Sequence, residues 1–219
     1  MKKRWIAALL VLAMALTLVA CGGAEEAAEE ERPVTTGVIE DGVYYNEYAG
    51  ISFTADGWQL LGVEDLKDSL DGVSELLEGT EVGDAMKDLT QFMDMQAVDP
   101  SGLQNINVIY TKMSAAERLA FLALDEEGVI DAVLKNQESL IHSYEEGGIT
   151  VESMEKVSCN FAGEDRIGIL TTGSVQGIPC FILQVYETHA GAYSVITTMT
   201  AAMEDTTADM AAMFSAYGE

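Results

Sequence analysis

The segments on either side of Gln176-Gly177 are apolar at successive positions rather than at alternate ones. A two-residue Gln-Gly link reads as a hairpin turn. It sets Val175 opposite Ile178, Gly173 opposite Cys180 and Ile169 opposite Gln184. Ile167, Ile169, Val175, Ile178, Cys180 and Ile182 then share one face. Leu170, Phe181, Leu183, Val185 and, from the next strand, Ile196 share the other. A sheet apolar on both faces has to be covered on both, and the helical stretches elsewhere in the chain are the available cover. The expected architecture is α+β: an α/β/α three-layer sandwich around a central, mainly antiparallel sheet.

The other elements follow from hydrophobic period and turn chemistry. Residues 42–46 and 51–54 read as two short strands joined by a turn, with Trp58 just beyond. Apolar residues at 63, 66, 70, 73, 76 and 77 have helical spacing, and a second helix is expected over 82–89. Residues 92–98 and 106–112 alternate as strands around the turn Asp99-Pro100-Ser101-Gly102. Ser114 and Glu117 form a capping box for a long helical region, which Gly128 is expected to break. After that break Ile130, Val133, Leu134, Gln137, Leu140, Ile141 and Tyr144 are expected to form one buried stripe, ended by Gly147-Gly148. A four-strand meander follows over 151–161, 166–175, 178–187 and 192–201. Thr206 then caps a terminal helix that carries Met210, Met213, Phe214 and Tyr217 on one side.

The start of the chain sets where the domain is expected to work. Lys2, Lys3 and Arg4 precede fifteen uncharged residues, 6–20. That stretch is too short for a membrane span, which needs about 20 apolar residues, and fits a secretory signal. It closes on Leu18-Val19-Ala20-Cys21, which resembles the lipobox of bacterial lipoproteins. The resemblance implies a signal peptide over residues 1–20, a diacylglyceryl group on the Cys21 thiol, and a fatty acyl chain such as palmitate on the new amino terminus. Only a thiolate is nucleophilic enough near neutral pH for that alkylation, and two lipid signals anchor stably where one does not. Residues 22–33 hold five glutamates and no apolar side chain larger than alanine. Such a segment stays extended. Residues 21–37 are thus read as a lipidated cysteine with an acidic tether, and 38–219 as one domain at the outer side of the cell membrane.

Charge narrows the partners. The chain carries −26, and three units more once Lys2, Lys3 and Arg4 are removed. Nucleic acid is excluded and anionic headgroups are repelled, so the membrane contact falls to the lipid on Cys21. The acids are dispersed, which reads as a solvated surface. Those at 64, 65, 68, 71 and 75 lack the loop of a calcium site.

Taken in order, "GVYYNEYAGISFTADGW", an acidic helix, "MDMQAVDPSGLQNINVIYTKM", a long helix, the meander and a terminal helix resemble the PsbP-like fold. The anchors are Tyr45, Asn46, Gly50, Phe53, Gly57 and Trp58, and uncharacterised lipoproteins of Gram-positive gut bacteria share the pattern. The likeness implies an antiparallel sheet between helical layers. It implies binding or assembly roles rather than a defined activity. The family often has proline where this chain has Ala55.

Chemistry-bearing motifs are sparse. His142 and His189 are far apart, and the chain has neither a paired-histidine nor a Cys-x-x-Cys spacing, so no metal or cofactor is expected. Ser153 and Lys156 match a Ser-x-x-Lys motif in letters, but a strand would point them to opposite faces. Cys159 is expected opposite Ile169 and Cys180 opposite Gly173, too far apart for a disulfide. The aromatics Tyr45, Tyr48 and Trp58, near the first hairpin, form the candidate contact surface for an envelope protein or a small molecule. The expected function is a non-catalytic, lipid-anchored binding or accessory role. The alternative is an extracytoplasmic hydrolase using paired carboxylates.

Overall fold

The computed structural model describes residues 34–66, 91–187 and 191–218. Cys21, the signal and most of the tether, the helical stretches expected over 67–77 and 82–89, and His189 lie outside the described residues.

Two antiparallel sheets form the framework. The larger runs in the order β4-β5-β6-β10-β9-β8-β7. Its strands are β4 (Gln59–Gly62), β5 (Gln91–Val98), β6 (Gln104–Lys112), β7 (Ile149–Phe161), β8 (Glu164–Val175), β9 (Ile178–Glu187) and β10 (Tyr193–Ala202). The smaller runs β1-β2-β3-β11, from β1 (Val38–Glu40), β2 (Val43–Asn46), β3 (Ile51–Thr54) and β11 (Phe214–Ala216). The described helices are α1 (Val63–Leu66), α2 (Ala115–Leu122), α3 (Glu126–Leu134), α4 (Gln137–Glu146) and α5 (Thr207–Ala211). None is long and apolar enough to cross a membrane.

The Gln176-Gly177 turn has both residues at positive φ, 51° and 80°, as a tight hairpin on twisted strands demands. Val175 pairs with Ile178, Gly173 with Cys180 and Ile169 with Gln184. The preceding hairpin is tighter than expected. Ala162 and Gly163 take φ values of 54° and 81°, so the whole link is two residues, and Cys159 pairs with Arg166 instead of Ile169. Nothing in an Ala-Gly pair competes with the stronger loop signal of the acids that follow it. Both cysteines are free and buried. Cys159 belongs to the core on one face of the sheet and Cys180 to the core on the other.

The α+β architecture has its two-faced sheet, but different layers cover the two sides. On one face α3 and α4 bury Val129, Ile130, Val133, Leu140 and Tyr144 against Ile169, Cys180, Ile182, Tyr186 and Ile196. Ile196 therefore sits on the helix side, because it pairs with Tyr186; the sequence had placed it opposite. On the other face the cover is the small sheet with α5. Tyr44, Ile51, Phe53, Met210 and Phe214 pack there on Phe92, Tyr110, Leu183, Val185 and Met199.

The helical breaks also move. Ser114 and Glu117 do form the capping box, but α2 ends before Gly128. Asp125 accepts from Gly128 N at 2.9 Å and starts α3, leaving the glycine inside the first turn. The terminal helix stops at Ala211. Phe214 instead lies opposite Phe53 in strand pairing, its ring 4.9 Å from Phe53 and 4.7 Å from Phe161. Pairing satisfies the open edge of β3 and buries the aromatic at once, which another helical turn would not do.

Candidate functional site

The residues nominated near the first hairpin separate in the structure. Tyr45 and Trp58 are half-buried, with Trp58 edge-on to Phe53 at 6.1 Å. Tyr48 is not at the surface. It is 1 % exposed, stacks on Tyr110 at 5.4 Å, donates its hydroxyl to Tyr193 O at 2.8 Å and accepts from Tyr193 N at 3.1 Å. The turn folds back onto β10, and an amphipathic tyrosine is the residue that can plug the gap and bond the backbone there. A partner reaching this hairpin would meet Tyr45 and Trp58, not Tyr48.

The letter motifs do not assemble. Ser153 Oγ lies 2.7 Å from Thr172 Oγ1, while Lys156 Nζ donates to Glu127 at 2.9 Å and Asp131 at 2.8 Å. His142 is exposed, 3.5 Å from Glu146. Met93, Met95 and Met210 are core residues. Among the described residues no group of three His, Cys, Asp or Glu is disposed to hold a metal.

Three polar assemblies were not foreseen. The first surrounds Asp94, the extra residue at a register shift in β5 between Met93 and Met95. The bulge turns its carboxylate into the aromatic core. It accepts from Gly37 N at 2.8 and 3.0 Å, from the Tyr44 hydroxyl at 2.5 Å and from Asn46 Nδ2 at 2.9 Å. Asn46 Nδ2 also reaches the Tyr110 hydroxyl at 2.8 Å, and that hydroxyl lies 2.9 Å from Thr35 O. Burial pushes the Asp94 pKa up to about 6, against the pull of the bonds from Tyr44, Gly37 and Asn46. The domain's hydrogen bonding thus extends back to Thr35, inside the stretch read as tether.

The second is an ion network at the far end of β8, where that strand's pairing with β9 has not yet begun. Arg166 Nε donates to Glu126 at 2.5 Å and Nη1 to Glu187 at 2.6 Å. Glu126 also accepts from Ile167 N at 3.1 Å, taking the place of a ladder bond. Burial raises the Glu187 pKa, and the Arg166 guanidinium opposes that rise.

The third is a band of uncharged polar side chains on the helix-side face of the large sheet. Gln96 pairs with Asn107, Asn107 with Thr198, and Thr198 with Gln184, so four strands contribute one row. Asn105 and Thr200 pair in the adjacent row. All six are buried. Gln96 Nε2 donates to Asn107 Oδ1 at 3.2 Å, and Asn107 Nδ2 to Asn105 Oδ1 at 2.6 Å. The Tyr144 and Tyr186 hydroxyls donate to Gln184 Oε1 at 3.3 and 3.4 Å. The signal was visible as alternation in β6 and β10, but polar alternation ordinarily marks a solvated face.

No protein-family model matches the chain, and no curated protein matches it. Among solved structures the chain is similar to the solution structure of cyanobacterial PsbP (CyanoP) from Synechocystis sp. PCC 6803. The two are 14 % identical, with a TM-score of 0.45, over 91 % of this chain and 99 % of that one. The architecture itself rests on the strand pairing above: an α+β protein of two antiparallel sheets.

Proposed function

We propose that this protein is a non-catalytic binding or accessory protein, held at the outer side of the cell membrane by lipid on Cys21. The observation that carries the binding role is the polar band. It gathers carboxamides and hydroxyls in register at the centre of a sheet, a place where apolar side chains would be cheaper. Such groups recognise by hydrogen bonding and supply neither a nucleophile with its base nor a strong acid. The N-terminal signal, the lipobox cysteine and the acidic spacer support the location.

The hydrolase alternative has one observation in its favour, the Asp94 pKa of about 6. A general acid with that value suits neutral pH. Yet Asp94 is fully buried, and its bonds go to Gly37, Tyr44 and Asn46 of the fold itself. Glu187, the other buried carboxylate among the described residues, is held by Arg166.

The test uses full-length protein in native membranes. Wild type should take up labelled lipid and sediment with membranes, while Cys21→Ala should remain unlabelled or be shed. The purified lipoprotein should leave peptidoglycan fragments, peptides and esters intact. Turnover of any of these, lost on neutralising one carboxylate, would overturn the binding reading.

A further inference from the structure

We infer that α2 lies on the membrane, its exposed apolar face docking on the outer leaflet of a phospholipid bilayer. This rests on the lipid anchor proposed above and adds a second, non-covalent contact. The helix is amphipathic in the reverse sense. Its exposed residues are Ala116, Leu119, Ala120 and Leu122, while its two charged residues, Glu117 and Arg118, are half-buried. The neighbouring helices are the other way round. α3 exposes Glu127 and Asp131, and α4 exposes only polar side chains, Glu138, His142 and Glu145 among them. Phe121 packs against the helix-side core and fixes the rotation of α2, which leaves Leu119 and Leu122, three apart, together on the outer side. Leu119 is 61 % exposed, Leu122 48 % and Leu124, just past the helix, 42 %. A single exposed leucine needs no explanation, but three within six positions mark a contact surface.

Charge selects lipid as the occupant. The chain has 37 acids against 11 bases, yet residues 100–124 contain one acid, Glu117. Its carboxylate turns back to accept from Ser114 N at 2.7 Å. Lys112 and Arg118 are the bases of the same stretch. Over the rest of so acidic a surface, an approaching bilayer would press carboxylates against its headgroups or strip them of water. Here it meets apolar side chains. A basic protein partner would instead be drawn to the acids that α2 lacks.

Placement brings the bilayer to this face. The chain enters the described domain beside Tyr110, whose hydroxyl donates to Thr35 O at 2.9 Å. Tyr110 lies two residues from the end of β6, and α2 starts three residues past that end. The tether attachment and the exposed leucines therefore sit at the same end of the large sheet. Residues 22–34 span at most about 45 Å when fully extended, so a chain lipidated at Cys21 is confined within that reach of the surface. Confinement raises the effective concentration of lipid, and a contact of a few leucines then suffices.

The experiment reconstitutes the full-length lipoprotein into phosphatidylcholine vesicles, with an environment-sensitive fluorophore attached through Leu122→Cys. Cys159 and Cys180 are buried, so the label goes to the new thiol. Its emission should shift to the blue and be quenched by lipids carrying a nitroxide on the acyl chain. A label attached through Ser158→Cys, on exposed β7, should do neither. Adding Leu119→Glu should abolish the shift and the quenching at position 122 without lowering Tm, because the site is exposed. Sedimentation with vesicles should persist in that variant through the lipid on Cys21. A label at position 122 that stays in water on vesicle-bound protein would overturn the inference and leave the anchor standing. Shielding without lipid quenching, together with cross-linked dimers, would give the face to a second copy of the chain and overturn it as well. Protein that carries no lipid on Cys21 and fails to sediment would overturn the anchor and this inference together.

Discussion

Both carboxylate oxygens of Asp94 accept from the amide of Gly37, 57 residues earlier in the chain, at 2.8 and 3.0 Å. That contact ties the segment ahead of the first strand to the central sheet. It is made by a buried acid whose partners are a backbone amide, a tyrosine hydroxyl and a carboxamide, so the connection responds to pH. Asp94 has a native pKa of about 6 against an ordinary 3.8. The native state then holds the proton more tightly than the unfolded state. Stability from this group is fully present below about pH 4 and is lost as pH rises through 6. The loss amounts to about 3 kcal/mol. Asp94→Asn should be clearly less stable than wild type at pH 4, where one acceptor is missing. That deficit should shrink toward pH 7, in denaturant melts compared pH by pH. A deficit independent of pH would contradict the raised pKa.

Gly37 is required by close approach, not by backbone conformation. A methyl group there would run into the Tyr44 ring and the Asp94 carboxylate. Gly37→Ala should cost about 1–3 kcal/mol as overpacking. Native-state hydrogen exchange should show the residue 37 amide losing protection before the β6 and β10 amides do.

Tyr48 offers a direct contrast between a surface and a core role. Its hydroxyl bridges both the carbonyl and the amide of Tyr193, and Gly191 leaves the space it occupies. Tyr48→Phe should cost about 1–2 kcal/mol for the buried hydrogen bonds. Tyr48→Ala should cost about 3–5 kcal/mol for the cavity as well. Thermal melts showing no change for the alanine variant would place the side chain outside the core.

Arg166 compensates a buried carboxylate. Its side chain is 18 % exposed and that of Glu187 11 %. Arg166→Ala should cost about 3–5 kcal/mol by stranding Glu187. Without the guanidinium the Glu187 pKa rises further, so the defect should be small near pH 4 and grow as pH rises through the carboxylate range. Adding Glu187→Gln should recover part of the loss. A double variant no better than the single one would mean that Arg166 acts through Glu126 and packing instead.

Local sequence determined the elements whose instructions are short-range. The Gln176-Gly177 turn, the Ser114/Glu117 capping box and the Asp99-Pro100 turn occur as read, because each depends on neighbours within a few residues. The meander has its four strands, but its first hairpin is tighter than read, so Cys159 pairs with Arg166, and Ile196 lies on the helix side. Tertiary structure decided what depends on distant partners. Residues 214–216 became a strand because β3 presented an open edge, and Tyr48 went inward because Tyr193 offered a carbonyl and an amide. Asp94 entered the core because a bulge turned it toward Tyr44, Asn46 and Gly37. The polar band formed because four strands aligned its side chains, and burial, not alternation, distinguishes it from a solvated face. A side chain's face is written in its own strand, but what lies across that face comes from residues tens of positions away. Only the folded chain brings them within hydrogen-bond distance.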